Sequence, residues 1–196
     1  MRKITVFNNI TLDGVIQSPA GPDEDPRGGF TKGGWAAPYQ AMQYASPGGP
    51  PKPSPLLFGR WTYENFYSFW PHQTDSPFSE ILNKAPKYVA STTLREPLPW
   101  QNSTLLKGDL AQAVAELKSS PGDDILIMGS GVLIQSLMRH NLIDRYVLLI
   151  HPIILGSGRK LFPEGDMQTA TLNLVDSKTT PNGVIIATYE ANGGVG

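Results

Sequence analysis

The chain has 196 residues, 40% hydrophobic and 17% charged, with 16 basic side chains against 17 acidic ones. That is enough chain for one domain with a sizeable core. It carries no charge excess to grip a phosphate backbone and no apolar run of the ~18 residues a membrane helix needs, so neither nucleic acid nor membrane is an expected partner.

The absence of cysteine excludes disulfides, zinc–thiolate sites, iron–sulfur clusters and a thiol nucleophile. Three scattered histidines make no His-rich metal site, and no metal is expected. The apolar stretch at the N-terminus is too short for a signal peptide, which points to a cytoplasmic protein.

Ile4 and Val6 alternate with Lys3, Thr5 and Phe7 and predict a first strand over residues 3–8. Asp13-Gly14 then turns the chain. The stretch 19–55 holds a disproportionate share of the 20 glycines and 18 prolines. Irregular segments of that length inside a domain are usually functional lids or disordered. Phe30, Trp35, Tyr39, Met42 and Tyr44 give this one too much apolar weight for disorder. Its first part reads as a lid-like loop, and residues 46–55 as a semi-rigid polyproline connector.

Residues 56–58 read as a second strand, 62–68 and 79–84 as helices, and 87–91 as a third strand. Over residues 109–118, Leu110, Val114 and Leu117 share a helical face while Asp109 and Gln112 match a capping box. Residues 124–128 form a fourth strand that is apolar on both faces, as in a sheet covered on both sides. The helix after Gly131 turns Leu133, Ile134, Leu137 and Met138 inward and ends on Arg139 and His140, where the macrodipole favours cations. A fifth strand covers 145–150, and 171–176 with 184–190 make a hairpin around Pro181-Asn-Gly183. The sum is a single α/β domain over 1–196, mostly parallel with an antiparallel C-terminal edge.

Several strand ends carry groups suited to a ligand. Gly129-Ser-Gly131 joins a buried strand to a helix, where glycines allow a sharp turn and free helix amides face an anion. It serves either as a phosphate cradle or simply as a tight turn. Ile134 occupies the place of the third glycine in the dinucleotide fingerprint, so a Rossmann domain is not supported. Neither this triplet nor Gly156-Ser-Gly158 has the glycine spacing of a nucleophile elbow. Arg60 and Thr62 in Gly59-Arg-Trp-Thr-Tyr63, and Ser91-Thr92-Thr93, also follow strands, where open α/β sheets bind ligands. Asp13 sets a carboxylate near those ends. Trp35 is either a buried loop anchor or a lid residue, and His151 either structural or part of the site.

In collinear order, Thr11-Leu-Asp-Gly14, Leu57-Phe-Gly-Arg-Trp-Thr-Tyr63, Lys87-Tyr-Val-Ala-Ser91, Ile127-Met-Gly-Ser-Gly131 and His151-Pro-Ile-Ile-Leu-Gly-Ser-Gly-Arg-Lys-Leu-Phe162 resemble the dihydrofolate reductase-like superfamily. The nearest likeness is to stand-alone forms of the C-terminal reductase domain of the riboflavin-pathway deaminase–reductase, without a preceding deaminase domain. The resemblance implies a three-layer fold around a mostly parallel eight-stranded sheet, with NADPH across the carboxyl ends of the strands. It places Arg60 and Thr62 in a Gly-Arg-x-Thr cofactor motif that includes Gly59, with Arg60 near the adenosine 2′-phosphate and Ser91 and Thr92 beside the same group. Gly129, Ser130 and Gly131 fall under the pyrophosphate, with Val132 and Leu133 following, and Asn9 and Ile16 face the nicotinamide.

Asp13 then becomes the candidate for orienting water or substrate, and Gly14, Trp35, Tyr63 and His151 the substrate side. The implied activity resembles 5-amino-6-(5-phosphoribosylamino)uracil reduction: hydride transfer to a carbonyl or imine of a small polar substrate, by a homodimer. The substrate's phosphate would need cations, with Arg27, Lys32, Arg159 and Lys160 as candidates. Residues 35–46 contain no Asp or Glu, which disfavours dihydrofolate reduction. The alternatives are a non-catalytic nucleotide-binding or scaffold protein on the same fold, and a flavin binder in the same cleft.

Overall fold

A computed structural model describes residues 1–39, 54–162, 165 and 169–192. Most of the expected polyproline connector, with Met42 and Tyr44, lies outside the described residues. The strands are Ile4–Thr11 (β1), Leu56–Gly59 (β2), Lys87–Ala90 (β3), Ser103–Leu106 (β4), Ile125–Met128 (β5), Arg145–His151 (β6), Leu172–Thr179 (β7) and Ile185–Ala191 (β8). The α-helices among the described residues are Arg60–Phe69 (α1), Pro77–Lys84 (α2), Leu110–Ser119 (α3) and Gly131–Arg139 (α4).

These strands form one sheet in the order β4-β3-β2-β5-β1-β6-β8-β7. From β4 to β6 every neighbouring pair is parallel, and β8 and β7 add an antiparallel edge. This is the mostly parallel eight-stranded sheet with a C-terminal hairpin that the sequence motifs imply. Because the parallel strands all run one way, the ends of β1, β2, β3 and β5 open onto the same edge, where α1 and α4 begin.

Both faces of the sheet are covered. Ile4, Val6, Ile125 and Ile127 are buried with Val114 of α3 and Leu133, Ile134 and Leu137 of α4 in one cluster. Leu56, Phe58 and Val89 pack with Tyr63 of α1, Leu82 of α2 and Trp100 in a second. Asp109 caps α3 as expected, its carboxylate accepting from the Gln112 amide at 2.9 Å. Lys87 has no exposed surface. Its ammonium donates to the carbonyls of Leu82, Asn83 and Ala85 at the C-terminal end of α2, where the helix dipole is negative. Among the described residues no helix is long and apolar enough to cross a membrane.

Candidate active site

A continuous cleft of about 2080 Å³ runs along the carboxyl ends of the strands, more than twice the ~1,000 Å³ upper range of pockets for one small ligand. Its floor is the turn between β5 and α4. Gly129 has φ +60° and Ser130 φ +55°, so consecutive left-handed residues fold the backbone back on itself. The turn is pinned from two sides. Asn8 on β1 clamps Gly129 through both amide groups, accepting from its N–H at 2.7 Å and donating to its carbonyl at 3.2 Å. Thr62 on α1 accepts from the Ser130 N–H at 2.9 Å.

The Ser130 hydroxyl accepts from the Gly59 amide at 3.1 Å and does not cap its own helix. The first amides of α4, at Gly131, Val132 and Leu133, therefore border the cleft without a side-chain cap, and with the helix dipole behind them they offer the kind of donors an anion prefers. Ile16 closes over the turn so tightly that a Cβ on Gly131 would meet its Cδ1 at 2.8 Å.

A second set of donors borders the same cleft further along. Arg60 opens α1 half-exposed, its Nε 4.0 Å from Glu64, a separation at which a surface pair contributes little. Thr92 is exposed after β3, and Lys107 and Gly108 complete that end. Ser91 borders the cleft too, but its hydroxyl oxygen accepts from the Thr93 and Leu94 amides and so holds the turn that presents Thr92. Asn9, Ile16, Gly59, Arg60, Thr62, Ser91, Thr92 and Gly129 to Leu133 thus all border one cavity.

The residues expected on the substrate side lie elsewhere. Tyr63 is 1% exposed and accepts from the Trp100 amide at 3.0 Å inside the core, because the helix turns that position toward the sheet. Trp35 is the buried anchor, not a lid face: its indole donates to the Gln17 carbonyl at 2.8 Å. Gly14 makes a tight turn at φ +84°, its carbonyl accepting from Leu161. His151 is fully buried behind Asn9.

Asp13 also misses the cleft. Its carboxylate accepts from the Thr11 hydroxyl at 2.6 Å and from the Leu155 and Gly156 amides. Those bonds hold it down to about 2, the Thr11 bond foremost, which is the reverse of what a proton source at neutral pH requires. Asp13 is a staple between two loops. Asp13→Asn, which leaves one of these donors facing an NH₂ group, is expected to lower stability by about 1 kcal/mol in urea denaturation; unchanged stability would contradict the staple.

The far wall of the cleft is the loop after Gln17, the segment expected to be lid-like, and the side chains that build it, Gln17 and Glu24 among them, were not singled out in the sequence. Gln17 is buried and ties the loop together, donating to the Asp25 and Arg27 carbonyls and accepting from the Arg159 amide. Arg27 pairs with Asp25 through two side-chain bonds of 2.7 and 2.6 Å and stacks over Trp61 at 4.0 Å. Glu24 accepts from the Ala20 amide at 2.8 Å; burial pushes its carboxyl up. Phe66, Phe69, Trp70 and Phe78 extend this wall as an aromatic surface. One signal was present in the sequence: Asn8 shares strand parity with Ile4, Val6 and Ile10, and a polar residue in a buried series requires a hydrogen-bonding partner.

The family model of the RibD C-terminal domain matches residues 2–186. The chain belongs to that family. A RibD C-terminal domain is what the motif series implies and what this cleft, at the edge of this sheet, is built on. Among solved structures, the "Putative riboflavin biosynthesis protein" from Shewanella sp. PV-4 is similar at 28% identity and a TM-score of 0.66, covering 97% of this chain and 99% of that one. "Uncharacterized protein YyaP" of Bacillus subtilis (strain 168) is 28% identical over 98% of this chain and 96% of its own length. "Uncharacterized protein YwjB" of the same organism is 24% identical over 83% of this chain and 84% of its own. Family and fold together make this a reductase-like domain.

Proposed function

We propose that this RibD C-terminal domain is an NADPH-dependent reductase acting on a carbonyl or imine of a small polar substrate. What carries this reading is that one cleft holds two separate anion-binding ends, the uncapped amides of α4 and the group around Arg60 and Thr92. A dinucleotide with a pyrophosphate and a further 2′-phosphate calls for that pair. In this assignment the amides of Gly131, Val132 and Leu133 hold the pyrophosphate, while Arg60 and Thr92 hold the 2′-phosphate. Asn9 and Ile16 border the nicotinamide end. NADPH supplies the hydride from its nicotinamide C4 when bound.

The wall made by Gln17, Glu24, Arg27 and Trp61 covers the remaining space and limits water there. Within this wall burial raises the Glu24 carboxyl above its ordinary value, whereas Asp13, outside the cleft, is lowered. For a phosphorylated substrate, the loop cations are already engaged: Arg27 with Asp25 and Lys32 with the Leu155 carbonyl. Arg159, which borders the cleft, is the candidate in their place.

Titration with NADPH and NADH, followed by tryptophan fluorescence and thermal shift, tests the assignment, since Trp61 lines the cleft. Arg60→Ala is expected to weaken NADPH about tenfold by loss of a charge-assisted bond and to change NADH by less than twofold. Equal losses would make Arg60 a structural residue. Binding of neither nucleotide by the unaltered protein would favour a scaffold that keeps the fold alone.

A further inference from the structure

Behind Asn9, at the proposed nicotinamide end, lies a buried histidine with no role in the hydride transfer. His151 has no exposed surface, and its Nε2 lies 2.9 Å from Asn9 Oδ1. Its ring is boxed edge-on by Trp35 and Tyr39, with centroids 5.2 and 5.1 Å away. Its Nδ1 is buried without a partner among the described residues.

Two arrangements of protons fit this geometry. With the proton on Nε2, the imidazole donates to Asn9 Oδ1, and only a lone pair on Nδ1 goes unmet. With the proton on Nδ1, a buried N–H is orphaned and Asn9 must turn its NH₂ toward the ring. Orphaned buried N–H groups are the rarer and costlier fault, so the first arrangement holds. Burial also pushes His151 down to about 4, which keeps the ring neutral. With Oδ1 held inward, Asn9 Nδ2 is left with no partner among the described residues, on a residue that borders the cleft.

We propose that His151 is a positioning residue: as a neutral Nε2–H donor it locks the Asn9 amide so that Nδ2 offers a hydrogen bond to the carboxamide oxygen of a bound nicotinamide. Trp35 enters the same device, because the indole that anchors the loop to the Gln17 carbonyl also packs against the imidazole and fixes its plane. The proposal rests on the NADPH reading, and its test separates the two.

The full chain is compared with His151→Phe, which keeps a flat ring and loses the donor, and with His151→Gln, which keeps a neutral N–H. Each is titrated with NADPH and with adenosine 2′,5′-bisphosphate, which has the 2′-phosphate and no nicotinamide. His151→Phe is expected to weaken NADPH about tenfold, the loss of one hydrogen bond, and to leave the bisphosphate within twofold; His151→Gln restores most of the NADPH affinity. Equal loss of both ligands, loss of neither, or failure of glutamine to restore binding overturns the proposal. Nitrogen NMR of the histidine rings in the ligand-free protein gives an independent decision. An Nε2-protonated neutral ring from pH 8 to 5 is expected, and an Nδ1-protonated ring overturns the proposal whatever the nucleotides do. If the unaltered protein binds neither nucleotide, the cofactor reading falls and the nicotinamide bond with it, while the NMR result still decides whether His151 donates to Asn9.

Discussion

Gly129→Ala is expected to lower the unfolding free energy by about 2 kcal/mol and to weaken nucleotide binding at least tenfold. The backbone at Gly129 has φ +60°, a conformation that costs an L-residue roughly 1–2 kcal/mol. A Cβ there would lie 3.0 Å from Thr62 Cγ2 and 3.2 Å from its Oγ1. Thr62 cannot swing aside without giving up the bond it accepts from the Ser130 amide, so the strain passes into the turn that aims the first amides of α4. An anion site made of backbone amides depends on that aim, which is why affinity falls along with stability.

Denaturant unfolding and an NADPH titration measure the two effects. Adding Thr62→Ser removes the offending methyl while keeping the acceptor, and the double variant is expected to recover part of both losses. A Gly129→Ala protein with unchanged stability and affinity would refute the turn's role.

The same residues show how much was legible beforehand. The strands of the parallel core were readable because Ile4, Val6, Ile125 and Ile127 carry an apolar pattern that survives burial on both faces, and α3 because Asp109 announces its own start. The edge strand β4 was not: Ser103–Leu106 is four residues long and its side chains are only partly buried, so no hydrophobic run marks it.

The nucleotide-facing side of the cleft was readable because backbone geometry is written in glycines and short hydroxyl residues at strand ends. The opposite wall is made by side chains whose roles depend on folding of the loop. Gln17 acquires its function only when the chain returns to bring Asp25, Arg27 and Arg159 within reach. Asp13 illustrates the converse, since a carboxylate near a cleft in sequence terms turned out to be occupied by Thr11, Leu155 and Gly156. Distance along the chain said nothing about which way its oxygens face.

Acid is expected to unfold the protein earlier than its carboxylates alone require, because of His151. Burial lowers this imidazole from 6.5 to about 4 in the folded state, so between those values the unfolded chain binds a proton that the folded one refuses. Stability from keeping the ring neutral is therefore fully present above pH 6.5 and lost as pH falls toward 4. At about 1.4 kcal/mol per pH unit this amounts to at most about 3.5 kcal/mol, a large part of a typical domain's margin.

Glu24 acts with the opposite sign. Its raised carboxyl favours the folded state below its ordinary value and loses that advantage as pH rises, so acidification through its range slightly offsets the loss from His151. Asp13, held down to about 2, begins to matter only below its ordinary value of 3.8. The His151 and Glu24 contributions therefore overlap with opposite sign, and only that of Asp13 falls in a lower window.

Unfolding free energies measured from pH 7.5 to 4 in the original protein and in His151→Gln isolate the first. Glutamine keeps the donor to Asn9 and has no proton to gain, so its curve is expected to be flatter through this interval by the His151 contribution. Parallel curves would mean that the ring takes up its proton as readily in the folded protein as in the unfolded chain. A charged imidazole would then stand against Trp35 and Tyr39 below about pH 6.5, and the neutral donor assigned to Asn9 would not persist down to pH 5.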